Sequence, residues 1–255
     1  MSIHRGTRWR ICLLGDDICT WDDIRKSAIS IRTSKYNDLI NLDVYRSFKS
    51  EKWFDDHRGT ICLILNAFAY TNEAIGYAQG FNFLVMPIFR EYYLTRPDHA
   101  ISDTYYSLHR LISILRPFYP LHDKDIRSNA YVKSITALVS MRIHNILKID
   151  ETLSSSIKLQ DIIKSCVISW LPVMFSNLFT YSDTVKIWDH IFKHNNNKDI
   201  LHTIINILVE IFRLHQIIFL NLPLERAWEV FFTAVPLCGR EIIIRLQHHG
   251  EHVSL

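Results

Sequence analysis

The sequence predicts an all-α fold, and three observations support that prediction. Only seven glycines and seven prolines occur among the 255 residues, whereas a many-stranded protein needs many turns. In several windows apolar residues recur every three or four positions, which is the spacing that lines one face of a helix. Short polar side chains that can cap a helix stand at or before the start of such windows.

Helical spacing is clearest in three windows, and neighbouring residues suggest their limits. The windows are residues 101–115, 131–149 and 200–211. The candidate helix starts are Ser102-Asp103, Ser182-Asp183 and Asp199. Three prolines fall between helical windows, where proline ends or begins a helix: Pro117, Pro120 and Pro223. Isoleucine is abundant and mildly favours strands, but its spacing is not the alternation of a half-buried strand.

We expect a single domain over residues 1–255, because the chain has neither a repeat of helical units nor a low-complexity linker. Its N-terminal half (about 1–125) carries the motifs described below, and its C-terminal half (about 126–255) is a further set of helices.

The composition excludes several classes of function. The net charge is +3, from 29 basic and 26 acidic residues, which is too balanced for a protein that mainly neutralises phosphates. Five scattered cysteines without a CxxC pair are typical of a reducing compartment, not of a disulfide frame or zinc site. No stretch approaches the roughly 20 apolar residues of a membrane span, and the first ten residues are too charged for a signal peptide. We therefore expect a cytoplasmic protein that binds neither nucleic acid nor the membrane interior.

No motif for independent catalysis is present. His190 and His194 have the spacing of a metal-binding pair on a helix, but they lack the intervening glutamate of a metalloprotease and an evident third ligand. Three more histidines cluster near the C-terminus: His248, His249 and His252. GxSxG, P-loop and GxGxxG motifs are absent. We expect no metal, no cofactor and no catalytic activity of the chain on its own.

Asp43 and Arg46 form the first candidate functional pair. On a helix they lie three residues apart on one face, so the carboxylate can hold the guanidinium in one orientation. Taken alone, the spacing is explained as simply by a surface ion pair worth under about 1 kcal/mol.

Gln79 is the second candidate, because two of the seven glycines, Gly76 and Gly80, bracket it. Glycine lets the backbone turn tightly or come close to a partner, which would present the Gln79 amide without steric cover. A turn between two helices, with Tyr77 packed beneath it, is the alternative without a function.

Arg46 and Gln79 together suggest the hydrolysis of a nucleoside triphosphate. That reaction needs charge stabilised on the transferred phosphoryl group and a water molecule held in line. An arginine can do the first and an amide the second. Because the chain has no nucleotide-binding motif, the nucleotide, here GTP, would be bound to another protein.

At this point the sequence resembles a known family. The motif IxxDxxR at 40–46, followed by YxQGxN at 77–82, is similar to the paired signature of TBC-domain GTPase-activating proteins, which act on Rab-family small GTPases. The opening RGTRW…LLG at 5–15 and the later KIWDHIF at 186–192 resemble two further motifs of that family. The resemblance spans roughly residues 5–245 in the family's order.

The resemblance implies a V-shaped, multi-helix domain with a dual-finger mechanism. Arg46 would be the arginine finger, and Gln79 would be the glutamine finger that replaces the GTPase's own glutamine. GTP and Mg²⁺ would belong to the partner GTPase. The supporting residues would be Asp43, which orients Arg46, and Tyr77, Gly80 and Asn82 in the glutamine loop.

Other positions carry structural roles or departures from the family pattern. By the resemblance, Trp9 and Trp188-Asp189 would be structural. Lys186 stands where the family usually has arginine, which removes a bidentate fork. Ala78 and Phe81 also differ from the usual residues, and these changes concern packing more than chemistry.

A narrower likeness concerns one branch of the family. Residues 43–49, 65–69, 76–87 and 240–243 are similar to the catalytic subunit of the fungal two-component GAP that restrains mitotic exit or septation. This likeness implies a role in the cell cycle, and the wider family resemblance leaves a role in vesicle trafficking as the alternative. It also implies a scaffold or localisation subunit that recruits the chain to spindle poles or endomembranes.

Three hypotheses follow from the sequence. The first is a GTPase-activating protein for a Rab/Ras-like small GTPase. The second is a TBC-fold adaptor that binds a small GTPase or scaffold without stimulating hydrolysis, and the third is an unrelated helical scaffold. Loss of a finger residue would favour the adaptor, but both are present. Basic residues near Arg46 either steer an acidic partner or are solvated loop charges: Lys49, Lys52 and Arg58.

Overall fold

The computed structural model describes residues 4–15, 34–119, 129–147, 157–193 and 197–249. Within these ranges every regular element is an α-helix or a short 3₁₀ turn and no strand occurs, so the all-α prediction is confirmed. None of the described helices combines the length and the apolar character needed to cross a bilayer. The chain divides into two compact units, which are residues 1–123 with 192–197 and residues 124–191 with 198–255. The single-domain expectation stays a prediction.

The first unit contains five α-helices among its described residues. They are α1 (Arg5–Leu14), α2 (Asn37–Arg46), α3 (Lys52–Thr71), α4 (Phe81–Thr95) and α5 (Ala100–Ile114), with 3₁₀ turns at Pro97–His99 and Arg116–Phe118. Helices α3, α4 and α5 pack on one another, α1 lies against α4 and α5, and α2 lies against α3 and α4. The core between them is rich in aromatic and branched residues: Phe54, Ile64, Phe68, Phe81, Leu84, Phe89 and Leu108.

Helix α1 is held on α4 and α5 by a close approach of the backbones, by the burial of Trp9 and by an ion pair. At Gly6 a Cβ atom would lie 2.3 Å from the carbonyl oxygen of Glu91, so only glycine fits there. Trp9 is buried, and its ring meets that of Phe192 edge to face at 5.4 Å between centroids. Arg10 Nε lies 3.1 Å from Oδ2 of the buried Asp103. The opening motif at residues 5–15 therefore has a structural role, as expected for Trp9.

The second unit contains the remaining described helices. They are α6 (Ala130–Leu147), α7 (Ile157–Trp170), α8 (Tyr181–Ile191), α9 (Asn197–Leu214), α10 (Gln216–Asn221), α11 (Leu224–Ala234) and α12 (Gly239–His249), with a 3₁₀ turn at Val235–Leu237. Helix α6 packs on α7, α8 packs on α12, and α11 contacts both α7 and α10. Buried Trp188 donates from Nε1 to the Met174 carbonyl at 2.9 Å. This contact fixes the left-handed turn at Met174 (φ 48°) and Phe175 (φ 64°).

The predicted helices form, but their predicted starts are partly wrong. The windows 101–115, 131–149 and 200–211 correspond to α5, α6 and α9. Ser102-Asp103 does not cap α5, because the helix begins earlier, at Ala100, and Asp103 is buried in an ion-pair cluster. Thr180 caps α8, since its Oγ1 accepts from the Asp183 backbone N–H at 3.2 Å and donates to Asp183 Oδ2 at 2.9 Å. At α5 the expected capping residue Asp103 is instead engaged in tertiary ion pairs, and at α8 the cap is Thr180, which precedes the expected Ser182-Asp183.

Replacement of Asp103 by alanine should destabilise the first unit. The Asp103 carboxylate is 2% exposed and lies within 3.2 Å of both Arg10 and Arg96. Removing one partner of a buried ion pair leaves uncompensated charge and costs about 3 kcal/mol. The measurement is chemical denaturation of Asp103→Ala against wild type, with the exposed Asp98→Ala as the control. A loss equal to that of the control would contradict this role.

Acidification should destabilise the fold through His109. His109 packs on the rings of Phe68 and Tyr105 (4.7 and 4.6 Å) and accepts from Asn72 Nδ2 at 3.1 Å. Burial lowers the pKa of His109 below its ordinary value of 6.5. The unfolded chain then binds more protons, so this stability is complete above about pH 6.5 and is lost as the pH falls through the folded pKa.

Thermal unfolding between pH 7.5 and 5.5 tests this expectation. The His109→Gln variant should lose less stability than wild type over that range, because its side chain does not titrate. The exposed His99→Gln variant is the control and should keep the wild-type slope. Equal slopes for all three proteins would show that His109 does not carry the effect.

Candidate functional site

Helix α2 places Asp43 inside the protein and Arg46 at its surface. Ile40, Asp43 and Val44 are at most 1% exposed, and they form the buried face of the helix. Arg46 is the last residue of α2, and its side chain is 46% exposed. Arg46 Nη2 lies 2.5 Å from Asp43 Oδ1. One end of the ion pair is therefore fixed in the interior, while the guanidinium remains accessible.

The second oxygen of Asp43 is held by a different segment of the chain. Tyr77 donates its hydroxyl proton to Asp43 Oδ2 at 2.8 Å, and the same hydroxyl lies 3.3 Å from Asn82 Oδ1. Asn82 in turn donates from Nδ2 to Ser47 Oγ at 2.6 Å and to the Asp43 carbonyl at 3.3 Å. All these groups are buried. The network joins the end of α2 to the start of α4.

The Tyr77 hydroxyl is a permanent donor in this network. Burial raises the pKa of Tyr77 far above its ordinary value, and the neighbouring Asp43 carboxylate raises it further. Both effects disfavour a second negative charge beside Asp43. Tyr77 therefore stays protonated and keeps donating to Asp43.

The loop before α4 presents Gln79 between two glycines that the backbone requires. Gly76 has φ 63°, and a Cβ atom there would lie 2.3–2.6 Å from the ring and hydroxyl of Tyr36. Gly80 has φ 107° and immediately precedes α4. Between them Tyr77 is buried and Gln79 is exposed. The loop is thus fixed at both ends and exposes its amide.

The structure also assigns residues that the sequence argument missed or misread. Ser47, directly after Arg46, donates from Oγ to the Asp43 carbonyl at 2.7 Å, a bond to the carbonyl four residues back that a serine hydroxyl can make. Phe48 follows in a left-handed conformation (φ 47°), and its ring packs on Phe54 and Phe83 at 5.2 and 5.8 Å. Arg58 is not a solvated loop charge, because its side chain is only 14% exposed and engaged with α2.

Other candidates from the sequence lie elsewhere or outside the described ranges. His190 is on α8, whereas His194, His252 and the side chains of His248 and His249 lie outside the described residues. The described residues contain no group of three or more potential metal ligands. Lys49 and Lys52, which follow Arg46 in the sequence, are exposed.

The described cysteines are mostly buried. Cys12, Cys166 and Cys238 are buried and Cys62 is half-buried, whereas Cys19 lies outside the described residues. Burial raises the pKa of each described thiol, and burial with nearby carboxylates raises that of Cys238 to about 12. Such thiols are poor nucleophiles at neutral pH.

Comparison with known proteins decides the family. Residues 3–219 match the RabGAP-TBC family, described as the Rab-GTPase-TBC domain. This match covers well over half of the chain and includes Asp43, Arg46, Tyr77 and Gln79.

The chain belongs to the Rab-GTPase-TBC domain family. It is similar to TBC1 domain family member 13 of mouse and of human, at 29% identity over 146 residues in each case. Each match covers 54% of this chain and 34% of the relative, so the chain spans about a third of those proteins.

Solved structures show the same TBC fold. The Ypt/Rab-GAP domain of Gyp1p superposes with a TM-score of 0.68 at 14% identity, over 96% of this chain and 88% of that domain. The Chlamydomonas flagellar RabGAP TBC domain superposes with a TM-score of 0.62 at 13% identity, over 95% of this chain and 78% of that one.

Removal of the Tyr77 hydroxyl should destabilise this TBC domain. In Tyr77→Phe the buried Asp43 Oδ2 loses its donor, and leaving a buried polar group unsatisfied costs about 1–3 kcal/mol. Urea denaturation measures the loss, and Tyr70→Phe on α3, whose ring is exposed, is the matched control. If the two substitutions cost the same, the Tyr77 hydrogen bond does not stabilise the fold.

Proposed function

We propose that this TBC domain is a GTPase-activating protein for a Rab/Ras-like small GTPase, with Arg46 as arginine finger and Gln79 as glutamine finger in trans. One observation carries the proposal. The exposed Arg46 guanidinium and the exposed Gln79 loop are supported by one buried network through Asp43 and Tyr77. Family membership supports the same function.

Arg46 would act on the transferred phosphoryl group of GTP bound to the partner. Its fixed positive charge stabilises the charge that develops in the transition state, and an arginine finger is generally worth about 10³–10⁵ in rate. The ion pair with Asp43 restricts the guanidinium before the partner arrives. Less reorganisation is then needed when the transition state forms.

Gln79 would hold the attacking water in line with the phosphoryl group. An amide is suited to this task because it both accepts and donates hydrogen bonds. The left-handed Gly80 and the buried Tyr77 hold the backbone on both sides of Gln79. The partner's own nucleotide site would supply GTP and Mg²⁺, and this chain would need no cofactor.

The outer face of α2 is suited to contact with a protein partner. Leu39, Leu42 and Tyr45 are 41%, 57% and 69% exposed, and Leu39 and Leu42 lie on the same helical line as Arg46. Clustered exposed apolar side chains commonly mark an interaction surface. A GTPase that receives Arg46 would cover this face.

The narrower likeness extends the proposal to biological context. The substrate would be a GTPase of mitotic-exit or septation control, and a scaffold subunit would recruit the chain to spindle poles or endomembranes. The sequence similarity at residues 43–49, 65–69 and 76–87 supports this assignment. The vertebrate relatives carry no such role in their names.

Single-turnover GTP hydrolysis tests the function. A panel of Rab-like and mitotic-exit GTPases loaded with GTP is mixed with wild type, Arg46→Ala and Gln79→Ala. We expect one GTPase to be accelerated, and Arg46→Ala to lower the acceleration by about 10³-fold or more. Gln79→Ala should also abolish most of it, because the water is no longer positioned. Binding to the loaded GTPase should persist in both variants. Gln79→Ala should keep the wild-type thermal stability, whereas Arg46→Ala should lose part of it, because the buried Asp43 carboxylate loses its charge partner.

The same experiment separates the alternatives. If no GTPase in the panel is accelerated, the measurement is repeated with the candidate scaffold present. Binding without acceleration in both formats would make the chain a TBC-fold adaptor. Acceleration that survives both substitutions would refute the finger assignment while leaving the activity in place.

A further inference from the structure

Arg58 on α3 connects that helix to the end of α2. Its Nη1 donates to the Val44 carbonyl and lies 3.4 Å from the Ser47 carbonyl. Its Nε and Nη2 lie 2.9 and 2.7 Å from Asp55 Oδ1. The guanidinium carbon also stands 5.6 Å from the centre of the Tyr45 ring. Every one of these partners except Asp55 belongs to α2 or directly follows it.

These contacts complete the last turn of α2. The final carbonyl groups of a helix have no partner within the helix, and they carry partial negative charge. Ser47 and Asn82 donate to the Asp43 carbonyl. Arg58 supplies a side-chain donor and a positive charge to the next carbonyl, that of Val44, which also accepts from the Ser47 backbone N–H at 3.4 Å. The turn that ends in Arg46 is thus tied to α3.

We propose that Arg58 is a positioning residue for Arg46. Asp43 fixes the Arg46 side chain relative to α2, and Arg58 fixes the last turn of α2 relative to α3. The inference rests on the proposed function, because it takes Arg46 as the group that reaches the phosphates. A displacement of about 1 Å in a catalytic group can cost about 100-fold in rate, so loosening this turn lowers the rate of hydrolysis.

Arg90 on α4 provides a matched control. Like Arg58, it is a half-buried arginine of the first unit that pairs with a carboxylate and lies over aromatic rings. Its Nη1 lies 2.8 Å from Glu51 Oε2, and its guanidinium stands 5.5 Å from the Trp53 ring. Neither partner belongs to α2. Loss of Arg90 therefore removes comparable packing and pairing without freeing the last turn of α2.

The experiment measures the limiting rate of GTP hydrolysis at saturating activator, with the GTPase found in the panel. We expect Arg58→Met to lower this rate about tenfold to 100-fold, while the half-saturating concentration changes less than about threefold. Arg58→Lys should be intermediate, because an ammonium can donate to a carbonyl but cannot reproduce the guanidinium fork. Arg90→Met should keep the limiting rate within about twofold of wild type, since Glu51 and Trp53, which Arg90 contacts, lie outside α2.

The double variant Arg46→Ala/Arg58→Met separates a positioning role of Arg58 from a merely structural one, because the two roles predict different rates of hydrolysis. If Arg58 acts through Arg46, then Arg58→Met causes no further loss of rate in the Arg46→Ala background. The inference is overturned if Arg58→Met keeps the wild-type limiting rate, if it slows Arg46→Ala by the same factor, or if Arg90→Met is equally slow. Should Arg58→Met fail to fold, a wild-type rate in Arg58→Lys overturns it.

The outcomes distinguish this inference from the proposed function. If wild type accelerates no GTPase, with or without the scaffold, the proposed function fails and the inference fails with it. If Arg46→Ala abolishes the acceleration but Arg58→Met does not reduce it, the finger assignment stands and only the positioning role of Arg58 is refuted.

Discussion

A buried carboxylate organises the site, because its two oxygens are held by two distant segments of the chain. Asp43 is 1% exposed, with Oδ1 against Arg46 and Oδ2 accepting from Tyr77. A carboxylate taken out of water loses hydration worth several kcal/mol, so it is stable only with its partners in place. Satisfying Asp43 therefore brings the end of α2 and the loop that carries Gln79 together. Each segment depends on the other for its position.

The site separates rigid support from accessible chemistry. Asp43, Tyr77, Asn82 and Ser47 are all buried and hydrogen-bonded to one another. Arg46 and Gln79, the groups proposed to reach a partner, are exposed. Polar groups held in place by a buried network need little reorganisation when charge develops nearby. A surface ion pair, which was the simpler explanation of the spacing at 43–46, does not account for a carboxylate that is itself buried and accepts from the buried Tyr77.

The sequence predicted the helices well because apolar spacing is a property of each segment by itself. Helix starts were less predictable. Asp103 is a residue type that often caps helices, but here its carboxylate forms ion pairs with Arg10 and Arg96. The hydrogen bond between Tyr77 and Asp43, 34 residues apart, was not predicted. The family resemblance named both as supporting residues without pairing them, and sequence spacing does not show a contact at that separation. Arg58 was misread as a surface charge, because its carbonyl partners are backbone atoms that no sequence pattern displays.

Mild acid affects two histidines outside the site, whereas the Tyr77 hydroxyl keeps its proton. The raised pKa of Tyr77 keeps its proton on the hydroxyl, so Tyr77 remains a hydrogen-bond donor at neutral and mildly acidic pH. His109 in the first unit and His215 in the second have pKa values lowered mainly by burial, and both favour the folded state in their neutral forms. Mild acid therefore acts on the folding of the two units before it changes the donor that holds Asp43. A fall in activity near pH 6 that is matched by a fall in stability would follow from these histidines and requires no titrating group among the fingers.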